Sequence, residues 1–155
     1  MQTGDVVQDF ELPDETGTAR HLREFLDKGP VVLFFYPAAM TLGCTVESCH
    51  FRDLKSEFDA VGAQRIGISA DAVEKQRQFS EKHAFDYPLL SDPDRVVARQ
   101  FGVNRGTGRL PNKRSTFVID TDGTLLEVIS SELNMHKHAD GALKTLRDRR
   151  PTTAG

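Results

Sequence analysis

Residues Val31–Tyr36 (VVLFFY) form an unbroken apolar run between Pro30 and Pro37. A membrane-crossing helix takes about 20 such residues, so this run is far too short to span a bilayer. It suits a buried strand with both faces covered. Such a strand needs a layer of structure on each side, and the remaining sequence supplies candidates for both.

Val6–Leu12 (VVQDFEL) reads as a short early strand, followed by a turn at PDETGT. ARHLREFLDKG reads as a short helix with Leu22, Phe25 and Leu26 on one face and Gly29 at its end. Beyond the run, TVESCHFRDLKSEFDAV carries Phe51, Leu54, Phe58 and Val61 at helical spacing, which predicts one amphipathic helix. QRIGISA (Gln64–Ala70) is the next strand, AVEKQRQFSEKHAF the next helix, and PLLSD a short extended piece. PDRVVARQFGV predicts a helix with Asp92 as cap and Pro93 at its first position. RSTFVIDTDGTLLEVIS reads as two strands about an Asp-Gly turn, and MHKHADGALKTLRDRR as a final helix weakened by Gly141. Helices alternating with apolar strands, closed by a hairpin and a helix, predict an α/β three-layer sandwich with a mixed central sheet.

At 155 residues the chain fits one domain, expected over 1–150 with a short tail at 151–155. Acidic and basic residues are interspersed to a net charge of −3, so there is no basic stripe for nucleic acid. The cluster LRDRRP reads as the basic end of the last helix plus the tail. The N-terminus MQTGDVVQDF lacks the pattern of a signal peptide, and no segment is long and apolar enough for a membrane, so the expected location is cytoplasmic.

Chemistry in such folds gathers beyond the C-terminal ends of strands. The apolar strand ends at Pro37, and PAAMTLGCTVESC begins there with the only two cysteines, Cys44 and Cys49. A zinc site would need two further ligands from five histidines, and His136 and His138 point to different faces of a helix. Burial as inert small hydrophobes is a second reading. A redox pair is the third. Cys44 precedes an amphipathic helix, where unpaired N–H groups and the positive dipole end favour a nucleophilic thiolate. Thr41, three residues earlier, has a hydroxyl able to turn back towards the sulfur.

On one helix, five residues give about 7.5 Å of rise and about 140° of rotation, which puts the two Cα atoms roughly 8.6 Å apart. A disulfide needs them within about 7 Å. Either the pair never bridges, or the first turn unwinds when it does.

FFYPAAMTLGCTVESCHFRDL resembles the active-site segment of peroxiredoxins, in particular the bacterioferritin comigratory (PrxQ-type) subfamily. Pro37, Thr41 and Cys44 match the family's proline, threonine and peroxidatic cysteine. Thr45, Glu47, Cys49, Arg52 and Asp53 match the family's next positions. GDVVQDFELPDETGT, SDPDRVVARQFGV and RSTFVIDTDGTL resemble further family segments, so the likeness covers nearly the whole chain.

This resemblance implies a thioredoxin-like fold and a thiol peroxidase acting on hydrogen peroxide and organic hydroperoxides. It implies recycling by thioredoxin or a similar dithiol, with no cofactor. Cys44 would attack the peroxide and Cys49 would resolve the product as an intramolecular disulfide. Arg114 would be the catalytic arginine; without the family match it reads as a solvated strand-end charge. Thr41 would bond the thiolate or peroxide, Pro37 would shield the sulfenic acid, and Gly43 and Cys44 N–H groups would complete the anion pocket. Glu47 is expected in the first helical turn, as a cap or a catalytic group. With an internal resolving thiol, a monomer is expected.

The chain departs from the family at Leu42, where proline is usual, and at Asn104, where tryptophan often stands. Other readings are a thiol–disulfide oxidoreductase, a copper-handling protein, or a redox-sensing module without turnover. The four residues between the cysteines, with Thr41 and Arg114, argue against the first two.

Overall fold

A computed structural model describes residues 1–106 and 110–149. The expected 151–155 tail, with Arg150 and Pro151 of the basic cluster, lies outside these. The elements in order are β1 (Glu11–Pro13), β2 (Ala19–His21), α1 (Leu22–Leu26), β3 (Val31–Phe35), α2 (Leu42–Asp53), α3 (Lys55–Ala60), β4 (Gln64–Ser69), α4 (Val73–His83), β5 (Leu89–Ser91), α5 (Val96–Gln100), β6 (Ser115–Ile119), β7 (Leu125–Ser130) and α6 (Met135–Asp148). Five strands form one sheet in the order β5-β4-β3-β6-β7. β3 runs parallel to β4 and antiparallel to β6, so the sheet is mixed, as the sequence predicted.

The apolar run is the central strand, and its side chains alternate between two cores. Val31, Leu33 and Phe35 pack with α1, α5 and the N-terminal segment. Val32, Phe34 and Tyr36 pack with α2, α3, α4 and α6. A strand buried on both faces has no polar side to show, which is why its sequence is continuous rather than alternating.

Three local expectations are corrected. No strand runs through Val6–Leu12: Val6 makes only an isolated bridge to Thr124, and β1 begins at Glu11. Burial falls on Val7, Phe10 and Leu12, a three-then-two spacing that strand alternation cannot satisfy. The long helix after the cysteine loop is two helices broken at Leu54. Arg65, buried on β4, donates to the Phe51 carbonyl at 2.8 Å, the group that would otherwise accept from the Lys55 N–H. The helix expected from Pro93 starts at Val96, yet Asp92 still caps it, accepting from the N–H groups of Val97 (3.3 Å) and Ala98 (2.9 Å).

Candidate active site

Register explains why two distant segments meet. Because β3 and β6 are antiparallel, Phe35 at the end of β3 pairs with Ser115 at the start of β6. Arg114, one residue before β6, therefore emerges beside the loop that leaves β3. Side chains alternate along β6, and Val118 belongs to the core layer with α2 and α6; Arg114 and Thr116 share its parity. β7 ends at the same edge, so α6 starts there as well, with Asn134 as its cap.

Cys44 is the third residue of α2 and is fully buried. Arg114 Nη2 donates to Cys44 Sγ at 3.4 Å, and Nη1 donates to Glu47 Oε1 at 2.8 Å. One guanidinium thus bridges the sulfur and the carboxyl group, a task its planar fork performs and an ammonium cannot. Gly43 leaves room for it: a methyl group there would lie 3.3 Å from Arg114 Nη2 and 3.6 Å from the Met135 sulfur.

Glu47 is not in the first turn of α2. It lies one turn on from Cys44 and is fully buried. Burial pushes its carboxyl up to about 8, against the pull of Arg114. Its second oxygen, Oε2, has no hydrogen-bond partner and lies 3.5 Å from Nδ1 of the fully buried His138. The sequence reading named Glu47 as a cap or a catalytic group but did not foresee its burial, and it weighed His138 only as a zinc ligand, although the pattern was available. Cys44, Glu47, Ser48 and Phe51 form an i, i+3, i+4, i+7 stripe, and His138 shares the buried face of α6 with Ala139, Ala142, Leu143 and Leu146.

The loop between β3 and α2 is held from outside. Asp71 Oδ2 accepts from the Ala39 N–H and from the Ser69 hydroxyl, each at 2.6 Å. Met40 is left-handed at φ 69°, a conformation that costs a non-glycine residue on the order of 1 kcal/mol. Pro37 is half-buried at the loop entrance. Thr41 is exposed, and its hydroxyl donates to the Ala38 carbonyl at 2.7 Å rather than turning back to the sulfur. Leu42 is the first residue of α2 and is 83% exposed. Asn104 donates to the Gly106 carbonyl, and Lys113, next to Arg114, is exposed.

Cys49 is half-buried on the same helix, and both cysteines are free thiols. Burial raises the Cys49 thiol above its ordinary value, offset in part by Arg52. The two halves of α2 are anchored differently. Its later carbonyls receive donors from outside, from the Tyr87 hydroxyl to Ser48 at 2.7 Å and from Arg65 to Phe51. In the first turn the Thr45 N–H and hydroxyl donate to the Thr41 carbonyl at 2.9 Å and 2.7 Å, bonds local to the helix itself. His136 stacks on His50, with ring centroids 4.0 Å apart, on a different face of α6 from His138. Among the described residues no group of three or more His, Cys, Asp or Glu side chains is placed to hold a metal ion. No helix among them is long and apolar enough to cross a membrane.

A buried thiol at the first turn of a helix beyond a central strand, with an arginine on its sulfur, defines a reactive-cysteine protein on an α/β sandwich. The model of the AhpC/TSA family matches residues 3–128. Peroxidoxin BcpB of Mycobacterium tuberculosis superposes with a TM-score of 0.94 at 63% identity, over 97% of this chain and 99% of that one. The bacterioferritin comigratory protein of Xanthomonas campestris, described for its alkyl peroxide reduction activity, gives 0.81 at 34% identity, over 89% and 90%. Peroxiredoxin Bcp of Escherichia coli is 37% identical over 154 residues, covering 96% of this chain and 97% of that protein.

The chain belongs to the AhpC/TSA family, as a peroxiredoxin of the bacterioferritin comigratory or PrxQ type with a thioredoxin-like fold. The family resemblance in the cysteine segment holds, and so does the α/β sandwich with a mixed sheet expected from the alternation of helices and apolar strands.

Proposed function

We propose that the chain reduces hydrogen peroxide and organic hydroperoxides through Cys44, with Cys49 as resolving thiol and thioredoxin or a similar dithiol as reductant. The observation that carries this reading is the contact at 3.4 Å between Arg114 Nη2 and Cys44 Sγ, with both groups buried. A fixed guanidinium on the sulfur favours the thiolate and faces the line along which charge leaves it.

The thiolate attacks the terminal peroxide oxygen, an S–O bond forms, and the O–O bond breaks. Sulfur is oxidised, and the departing alkoxide or hydroxide takes a proton to leave as alcohol or water. Thr41, freed from the Ala38 carbonyl, donates to the incoming peroxide, and Pro37 shields the Cys44 sulfenic acid. Gly43 and Cys44 N–H groups complete the anion pocket.

The Cys49 thiol then displaces water from the sulfenic acid, giving a Cys44–Cys49 disulfide. Helix geometry keeps the Cα atoms roughly 8.6 Å apart, so the first turn of α2 must open for the bond to form. The locally tied first turn and the externally pinned second half support that order of events. A dithiol restores both thiols by exchange. With the resolving thiol in the same chain, the working unit is a monomer, and its setting is the reducing cytoplasm.

An NADPH-coupled assay with thioredoxin and its reductase tests this directly, comparing wild type with Cys44→Ser and Cys49→Ser. Cys44→Ser is expected to have no turnover, and retained activity overturns the reading. Cys49→Ser is expected to consume one equivalent of peroxide and then stall at the sulfenic acid. A wild type that reacts once and does not turn over would instead be a sensor.

A further inference from the structure

Beneath Arg114 lies a buried polar pair that the peroxidase reading does not use. His138 Nε2 is 2.8 Å from the Ser131 carbonyl oxygen, which can only accept, so Nε2 carries the hydrogen. In the neutral ring Nδ1 is then an acceptor, and the Thr116 hydroxyl lies 2.8 Å from it. Glu47 Oε2 faces the same nitrogen at 3.5 Å, buried and without a hydrogen-bond partner. A carboxylate there would set an unsatisfied anion against a nitrogen lone pair in an apolar layer, an expensive arrangement.

Charge counting gives the same answer. A Cys44 thiolate, the Arg114 cation and a Glu47 carboxylate would leave one excess negative charge buried. One proton on the Glu47–His138 pair, on either partner, makes the cluster neutral. We propose that Glu47 and His138 hold a single buried proton between them, and that His138 is thereby a positioning residue that keeps the charge of Arg114 for the Cys44 sulfur. The inference rests on the reading of Cys44 as the reacting thiol.

With the proton on Glu47, Oε1 still fixes the guanidinium but does not neutralise it; with the proton on His138, the imidazolium offsets the charge of the carboxylate instead. Without it, the carboxylate competes with the thiolate for one cation. The directions of titration agree: burial holds Glu47 protonated up to about 8 and holds His138 unprotonated. Charged and polar groups face the pair from α2, α6, the start of β6 and the turn before α6. Arg114, leading into β6, favours the carboxylate, and Glu132, in the turn before α6, favours the protonated form. Glu132 is itself tied to the Arg114 N–H at 3.1 Å and to Arg105 at 2.7 Å. Lys137 on α6 opposes a charge on His138, Thr116 on β6 is uncharged, and Cys44 lies one turn before Glu47 on α2.

The test follows the His138 ring by nitrogen NMR across the neutral and alkaline range, alongside the rate of Cys44 oxidation by hydrogen peroxide, in wild type and Glu47→Gln. Wild-type His138 is expected to show the Nε2–H tautomer and a step near pH 8, where the shared proton leaves. The oxidation rate is expected to fall about tenfold above that step, equivalent to about 1.4 kcal/mol of lost attraction between Arg114 and the sulfur. In Glu47→Gln both the step and the fall should vanish. A flat His138 response, a step that persists in Glu47→Gln, or a rate that still falls there overturns the proposal.

If Glu47→Gln fails to fold, Thr116→Val asks the same question: freeing Nδ1 strengthens its hold on the Glu47 proton and moves the step to higher pH. An unmoved step overturns the proposal. The NMR arm needs no peroxide, so failure of the peroxidase reading, seen as unreactive Cys44, is separable from failure of the shared proton.

Discussion

The Tyr87 hydroxyl donates a 2.7 Å hydrogen bond to the carbonyl of Ser48, the residue immediately before Cys49 in α2. Tyr87 is buried and its ring packs edge-on to Phe34 of the central strand, so the core itself grips the helix between its two thiols.

Tyr87→Phe keeps the ring and removes that grip. The loss of one buried hydrogen bond is worth about 1 kcal/mol. If the opening of α2 extends from the first turn as far as Ser48 and limits disulfide formation, the Cys44–Cys49 bond should form several-fold faster after one equivalent of peroxide. Rapid acid quench, alkylation and mass spectrometry would measure it; an unchanged rate places the limiting step elsewhere.

Arg114→Lys keeps the charge and loses the fork. An ammonium cannot reach both Glu47 Oε1 and Cys44 Sγ in the present geometry. Peroxide oxidation of Cys44 is expected to slow by about 100-fold, in line with loss of a preorganised donor. Competition against a reference peroxidase gives the rate constant.

Gly43→Ala tests how tightly that arginine is seated. The new methyl would stand 3.3 Å from Arg114 Nη2, close enough to push the guanidinium off the sulfur by a few tenths of an ångström. Oxidation of Cys44 should slow several-fold while stability to unfolding changes by less than about 1 kcal/mol, since Gly43 lies in a helical turn where alanine is favoured.

Glu47 also makes stability depend on pH with a definite sign. Its folded value is raised from 4.5 to about 8, so between these pH values the folded state binds more protons than the unfolded one. Stability from this group is therefore lost as pH rises through that window. Glu47→Gln removes this dependence, so the variant should gain on wild type between pH 5 and pH 8, by a few kcal/mol at most. Urea unfolding at the two pH values checks it, and equal differences at both would exclude the buried carboxyl as the cause.

Much of this site was readable from the chain. The apolar run located the central strand, Pro37 marked its end, and the spacing Pro37–Thr41–Cys44 carried the family. Arg114 was found through the resemblance and then explained by the antiparallel register of β3 and β6. The features that stayed hidden depended on partners distant in sequence. The break at Leu54 needs Arg65 to claim the Phe51 carbonyl, which no local pattern announces. The burial of Glu47 ran against its charge, and only the stripe it shares with Cys44 pointed inward. The Thr41 hydroxyl was misdirected because left-handed Met40 brings the Ala38 carbonyl within its reach.

Arg114 follows Cys44 by 70 residues, and the two meet only because β6 inserts beside β3. During synthesis the cysteine leaves the ribosome well before its arginine exists. The nascent chain therefore carries a thiol without its cationic partner, and pairing of β6 with β3 completes the site. A chain that stops short of β6 therefore holds the thiol in a different electrostatic setting from the finished protein, without the guanidinium beside its sulfur.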